Sequence, residues 1–225
     1  MGGTLYGIGV GPGDPELITI KALRMIKECD YIALPNKEKD SCASYGIVKE
    51  IYSEIEEKEC IYLDCPMTKN NEILEMSHKK NIEKLAEVLK KDKNIAFLTL
   101  GDPSIYSTYQ YLHTRICEMG YHAQMISGVP SFCAIAAKLG IALGEKEEEI
   151  HIIPATYGID QIFQLSGTKI LLKAGKKLEE IKKVVKEKKL YIAMVEKCGW
   201  EDEKIAIGLD NIGNEASYYT IVIIK

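Results

Sequence analysis

Short solid apolar runs alternate along this chain with longer segments in which apolar residues return every third or fourth position. The runs at 4–9, 31–34, 60–63, 95–100 and 122–126 predict buried strands, most of them bounded by Gly, Pro, Asp or Asn. Between them, helical spacing predicts helices over 19–27, 42–55, 70–91 and 105–119. In the third of these Ile73, Leu74, Ile82, Leu85, Val88 and Leu89 form one apolar side, and Gly120 ends the last. Beyond residue 120 the strands come faster. A helix over 132–139 precedes strands at 150–153, 169–172, 191–195, 204–208 and 218–224, with a helix over 178–187 among them and a hairpin-like pair near 210–217. Strand and helix in alternation, with strands apolar on both faces, predict an α/β fold with mostly parallel sheets. The change of rhythm predicts two α/β domains, 1–119 and 120–225.

Composition narrows the function classes. The chain has 225 residues, 46% of them hydrophobic and 28% charged, with a net charge of −4. That is enough to bury a core, and the charge is not the footprint of a nucleic-acid binder. The lysines of 176–189 are interleaved with Glu and apolar residues and read as a solvated helix face. No apolar run is long enough for a membrane span. The N-terminal segment lacks a basic region and reads directly as a strand, not as a signal peptide. Seven scattered cysteines without a C-x-x-C pair suit free thiols in a reducing cytoplasm. With four equally dispersed histidines, no metal site is expected.

Three turns carry the candidate chemistry. The first is Gly7-Ile8-Gly9-Val10-Gly11-Pro12-Gly13-Asp14-Pro15, directly after the first strand. A glycine-rich turn there lets backbone approach a ligand closely. Its spacing is not that of a dinucleotide site, because Pro12 or Asp14 stands where the third glycine of G-x-G-x-x-G would be, and no G-K-[ST] follows. Pro12 and Pro15 remove backbone donors, and Asp14 puts a negative charge where a phosphate would sit. A tight turn with no ligand remains an alternative. The second turn is Leu100-Gly101-Asp102-Pro103-Ser104-Ile105-Tyr106, again between strand and helix. Asp102 there could accept a hydrogen bond from a ligand, cap the following helix, or both. The third is Ser127-Gly128-Val129-Pro130-Ser131-Phe132, where Ser131 could cap a helix or bind a polar ligand group.

In this order and at these separations, G-x-G-x-G-D-P, L-G-D-P-S-x-Y and S-G-V-P-S resemble the tetrapyrrole methylase family over essentially the whole chain. The segments 97–109, 41–48 and 152–155 are most similar to its branch that methylates C20 of the corrin precursor precorrin-2 or of its cobalt complex. The resemblance implies two α/β domains with a cofactor cleft between them, a homodimer, and S-adenosylmethionine as methyl donor. It implies that Pro12, Leu100, Gly101, Asp102 and Ile105 border the cofactor, with Ser131 and Phe132 at its amino-acid or ribose end and Ala155 and Ala174 on its adenine side. The tetrapyrrole would lie over Gly9, Gly11, Gly13 and Asp14. Asp102, Lys173 and Tyr218 are the candidate catalytic residues: Asp102 toward a pyrrole N–H, Lys173 toward a substrate carboxylate, Tyr218 toward the ring. For Lys173 a surface role and for Tyr218 a packing role stand beside these. A substrate of many carboxylates implies a basic rim, for which Lys21, Arg24, Lys37, Lys39, Lys173, Lys176 and Lys177 are candidates. Other readings are a methylase of another ring position (C11, C17 or uroporphyrinogen-III), diphthine synthase, and a non-catalytic nucleotide-binding regulatory module. A dehydrogenase is disfavoured by the missing third glycine.

Overall fold

The computed structural model describes residues 2–66, 68, 70–155 and 161–225. Two compact units, Met1–Pro130 and Ser131–Lys225, make up the chain.

In the first unit β1 (Thr4–Gly9), α1 (Ile20–Glu28), β2 (Tyr31–Leu34), α2 (Ala43–Ile51), β3 (Glu59–Tyr62), α3 (Asn71–Leu89), β4 (Ile95–Thr99), α4 (Tyr109–Glu118) and β5 (His122–Ile126) follow one another. The strands form one parallel sheet in the order β3-β2-β4-β1-β5. Side chains alternate between its two faces, as the pleat requires. Ile8, Ala96 and Leu98 pack with Ala22 and Ile26 of α1 and with Tyr45 and Val48 of α2. Leu5, Phe97 and Ile95 pack with Leu85 and Leu89 of α3 and with Leu112 and Ile116 of α4. Each face is therefore covered, which is why the strands read as solid apolar runs.

Local signals set the helix ends. The Thr19 hydroxyl accepts from Ala22 N at 3.1 Å and opens α1. Lys58 Nζ closes it by donating to the carbonyls of Lys27 and Cys29 at 2.9 and 2.6 Å. Asn70 caps α3 through Glu72 N and Ile73 N. Two predicted helices are shorter in the structure. The one expected over 42–55 stops at Ile51 and continues as a 3-10 turn, Ser53–Glu57. The one expected over 105–119 starts only at Tyr109, because Tyr106 has φ +46° and cannot lie in a right-handed helix.

In the second unit α5 (Ser131–Leu139), β6 (Ile150–Pro154), β7 (Thr168–Leu172), α6 (Leu178–Lys188), β8 (Ile192–Glu196), β9 (Lys204–Ile207) and β10 (Thr220–Ile224) build a sheet in the order β6-β7-β10-β8-β9. β6 and β7 are parallel, whereas β10 runs antiparallel to both β7 and β8, and β8 to β9. Over the two sheets together pairing is mostly parallel. The hairpin expected near 210–217 is not formed: β9 turns back on β8 through residues 197–203, and β10 inserts at the centre of the sheet. Burial accounts for this. All five residues of β10 are buried, while Ile205 and Ile207 of β9 are 46% and 47% exposed, which suits an edge. The division between the units lies after Pro130 and not near Met119, because β5 pairs along the length of β1 and belongs to the first sheet.

Tyr109 locks α4 onto that sheet. Its hydroxyl lies 2.9 Å from both the Leu5 and Gln124 carbonyl oxygens, bridging β1 and β5. Its ring occupies the space over Gly7, where a Cβ would come within 2.3 Å of it. Tyr109→Phe removes the bridge and keeps the ring, so it should lower unfolding stability by about 1 kcal/mol in a urea titration. Gly7→Ala should cost more, by displacing the ring.

Candidate functional site

In the first sheet β1 and β4 are neighbours, but the chain leaves them for opposite faces: after β1 it enters α1, after β4 it enters α4. A crevice opens outside the carboxyl ends of strands that part in this way, and it is the default ligand site of an open α/β sheet. All three glycine-containing turns gather there.

They are held by backbone. Val10 N donates to Thr99 O at 3.0 Å, and Gly101 N to Gly11 O at 2.8 Å, so the first two turns continue as a two-residue antiparallel bridge. Gly11 and Gly101 have φ +82° and +66°, which side-chain-bearing residues rarely adopt. The third turn is pressed onto them. A Cβ on Gly9 would come within 2.4 Å of Gly101 O and 2.7 Å of Gly128 N, and one on Gly128 within 2.2 Å of Gly101 O. Thr19, which opens α1, also donates to Ser127 O at 3.4 Å.

Asp102 is 8% exposed, and both its oxygens are engaged. Oδ2 accepts from Gly128 N at 3.0 Å, and Oδ1 from Ser104 N at 2.8 Å and from the Ser104 hydroxyl. It caps its own turn and not α4. Ahead of that helix, whose N-cap is Thr108, the Ser107 Oγ accepts from Tyr109 N at 3.2 Å. Asp14 behaves similarly, accepting from Glu16 N at 2.9 Å at the start of a 3-10 turn, Pro15–Leu17. Gly9, Gly11, Pro12 and Gly13 are buried, and Leu100 and Ile105 are half-buried beside them. The turns are thus built of backbone and apolar side chains, and their two carboxylates, Asp14 and Asp102, are turned onto neighbouring backbone amides.

In the second unit Lys173 and Tyr218, far apart in sequence, come together. Lys173, in the left-handed region at φ 58°, follows β7, and its ammonium lies 5.0 Å from the centre of the Tyr218 ring. Three further residues of this sheet end escaped the sequence reading. Glu196, at the end of β8, is buried at 7% exposure and accepts from Ser217 N at 3.1 Å. The hydroxyls of Ser217 and Thr220 are buried and have no hydrogen-bond partner among the described residues. A carboxylate closing an otherwise apolar strand was the one sequence signal available. Ser131 is the first residue of α5, inside the helix and not at its cap, and Phe132 is buried. Ala155 and Ala174 are fully covered within the core of this unit. Of the expected basic rim, Arg24 already pairs with Glu28 and Lys177 with Glu180. Among the described residues no group of three or more His, Cys, Asp or Glu side chains could hold a metal ion.

The fold of the first unit is an α/β fold in which three glycine-containing turns meet at the carboxyl edge of a parallel sheet. Residues 4–209 match the tetrapyrrole (corrin/porphyrin) methylases, and the chain belongs to that family. It is 35% identical to a probable cobalt-precorrin-2 C(20)-methyltransferase of Methanocaldococcus jannaschii, over 98% of this chain and 95% of the relative. It is 31% identical to the cobalt-precorrin-2 C(20)-methyltransferase of Salmonella typhimurium, over 81% and 77%. Against the cobalamin biosynthesis protein CobIJ of Mycobacterium tuberculosis identity is 28%, and the match spans 81% of this chain but only 38% of that longer protein. The fold is that of a cobalt precorrin-4 methyltransferase, at TM-score 0.77, 20% identity and coverage of 98% and 94%. It is equally that of the uroporphyrin-III C-methyltransferase of Thermus thermophilus complexed with S-adenosyl homocysteine, at TM-score 0.73, 19% identity and coverage of 99% and 97%.

The three turns leave no space for a methyl group at their contacts. Gly9→Ala and Gly128→Ala should each destabilise the fold by about 1–3 kcal/mol, read from the midpoint of urea unfolding. Gly120→Ala meets no neighbouring atom and tests strain alone, since its φ is +84°.

Proposed function

We propose that this chain transfers a methyl group from S-adenosylmethionine to C20 of precorrin-2 or its cobalt complex, in cobalamin biosynthesis. The observation that carries the reading is the near full-length match to a relative named for C20 methylation. It is joined to a crevice in which the three family-like turns are fused. S-adenosylmethionine, when bound, supplies an electrophilic methyl group on a sulfonium sulfur. The crevice suits such a group, because Pro12, Leu100, Gly101 and Ile105 offer backbone and apolar surface and not a phosphate cradle. Asp14, turned onto Glu16 N, agrees with this.

The chain's own part is alignment. In-line displacement requires the ring carbon close behind the methyl group, and holding that geometry contributes several kcal/mol. Gly9, Gly11, Gly13 and Asp14 border the substrate. Lys173 pairs with a substrate carboxylate and Tyr218 orients the ring; their contact at 5.0 Å supports a joint role. The reading extends to a homodimer in the cytoplasm, in keeping with free cysteines throughout the described residues.

Incubation with S-adenosylmethionine and either form of precorrin-2 should add one methyl group, located at C20 by NMR. Methylation at another position refutes the C20 assignment and leaves the family standing. S-adenosylhomocysteine, but not NAD or ATP, should raise the melting temperature; the reverse pattern would favour a nucleotide-binding module. Lys173→Met should raise KM for the tetrapyrrole about tenfold with a smaller change in kcat, as expected for one lost charge pair.

A further inference from the structure

We infer that Asp102 is a positioning residue, whose carboxylate ties the 101–104 turn to the 127–130 turn and so sets cofactor affinity without touching a reacting atom. The inference rests on the methyltransferase reading and assigns Asp102 a role different from the ligand contact that resemblance implied.

Three donors converge on this side chain. Ser104 N and the Ser104 hydroxyl occupy Oδ1, and Gly128 N occupies Oδ2. At 8% exposure the carboxylate has little surface left for a ligand. Its backbone neighbour Gly101 is bonded to Gly11, and the carbonyl oxygen of Gly101 lies against Gly9 and Gly128. A displacement of Asp102 therefore moves the backbone of Leu100 and Gly101, the segment read as bordering the cofactor. Losing the carboxylate would also leave the Gly128 amide without its acceptor in a tightly packed turn, where an unmet donor is costly.

The isosteric change separates clamp from contact. In Asp102→Asn one side-chain atom remains an acceptor and the other becomes a donor. With its oxygen toward Ser104, the amide NH₂ faces the Gly128 N–H, donor against donor. Expected are a rise of about tenfold or more in the S-adenosylhomocysteine Kd and in KM for S-adenosylmethionine, with kcat at saturation within about threefold of wild type and an unmoved pH profile. Hydrogen exchange at the Gly128 amide should accelerate about tenfold or more, while the Gly101 amide, bonded to Gly11, stays protected. Ser104→Ala, at an exposed side chain, should shift affinity in the same direction by less. It keeps the test open if Asp102→Asn does not fold.

A kcat loss above about a hundredfold at saturation with unchanged Kd would place Asp102 on the reacting groups and overturn the inference. Unchanged affinity together with unchanged exchange would overturn it as well. Wild-type protein that binds no S-adenosylhomocysteine sinks the methyltransferase reading and the affinity half of the inference with it. The exchange measurement then decides the clamp alone.

Discussion

Backbone against backbone at the carboxyl ends of β1, β4 and β5 is the contact on which the first unit's site depends. A Cβ on Gly9 or on Gly128 would run into the carbonyl oxygen of Gly101, and Gly11 and Gly101 take up left-handed conformations to make the bridge. The glycine pattern is thus a packing requirement before it is a ligand motif. In a dinucleotide fingerprint the third glycine lets a helix approach its strand; here Pro12 or Asp14 stands at that position, and Gly11 pairs with a neighbouring turn instead.

The second unit builds its sheet end differently. β10 lies between β7 and β8, so the residues just before β10 meet those just after β7. That insertion puts Tyr218 over Lys173 and leaves Ser217 beside the buried Glu196. An exposed cation–π contact contributes only about 0.5–1 kcal/mol. It holds the Lys173 ammonium in place without satisfying it, and a carboxylate could join or replace the ring as partner. A net negative chain can in this way present a local cation to a polyanionic substrate.

Legibility followed the range of the interactions. The strands at 4–9 and 31–34 end where their apolar runs meet a glycine or a proline, and the strand at 122–126 ends at Ser127, so the sequence marks their bounds to the residue. The start of α4 was missed because Tyr106 breaks the helix by its backbone angle, which periodicity does not encode. The second sheet was misjudged at its hairpin because an apolar run says that a strand is buried, not between which neighbours. Only the pairing of β10 with β7 and β8 reveals that. The site followed suit. The turns at 9–14, 101–105 and 128 were visible through their glycines. Glu196, Ser217 and Thr220 depend on the β10 insertion and were not. Ala155 and Ala174 carried no feature of their own, and the structure covers both.

The occupied carboxylate of Asp102 also suits the proposed chemistry. In transfer from a sulfonium, positive charge on the donor fades on the way to the transition state. An anion facing that charge would favour the bound ground state more than the transition state and slow the step. Two backbone amides and a hydroxyl turn the charge of Asp102 into the protein, where it ties its own turn to the turn at Gly128. The crevice keeps the geometry a carboxylate can enforce and is spared the electrostatic penalty of exposing one to the donor.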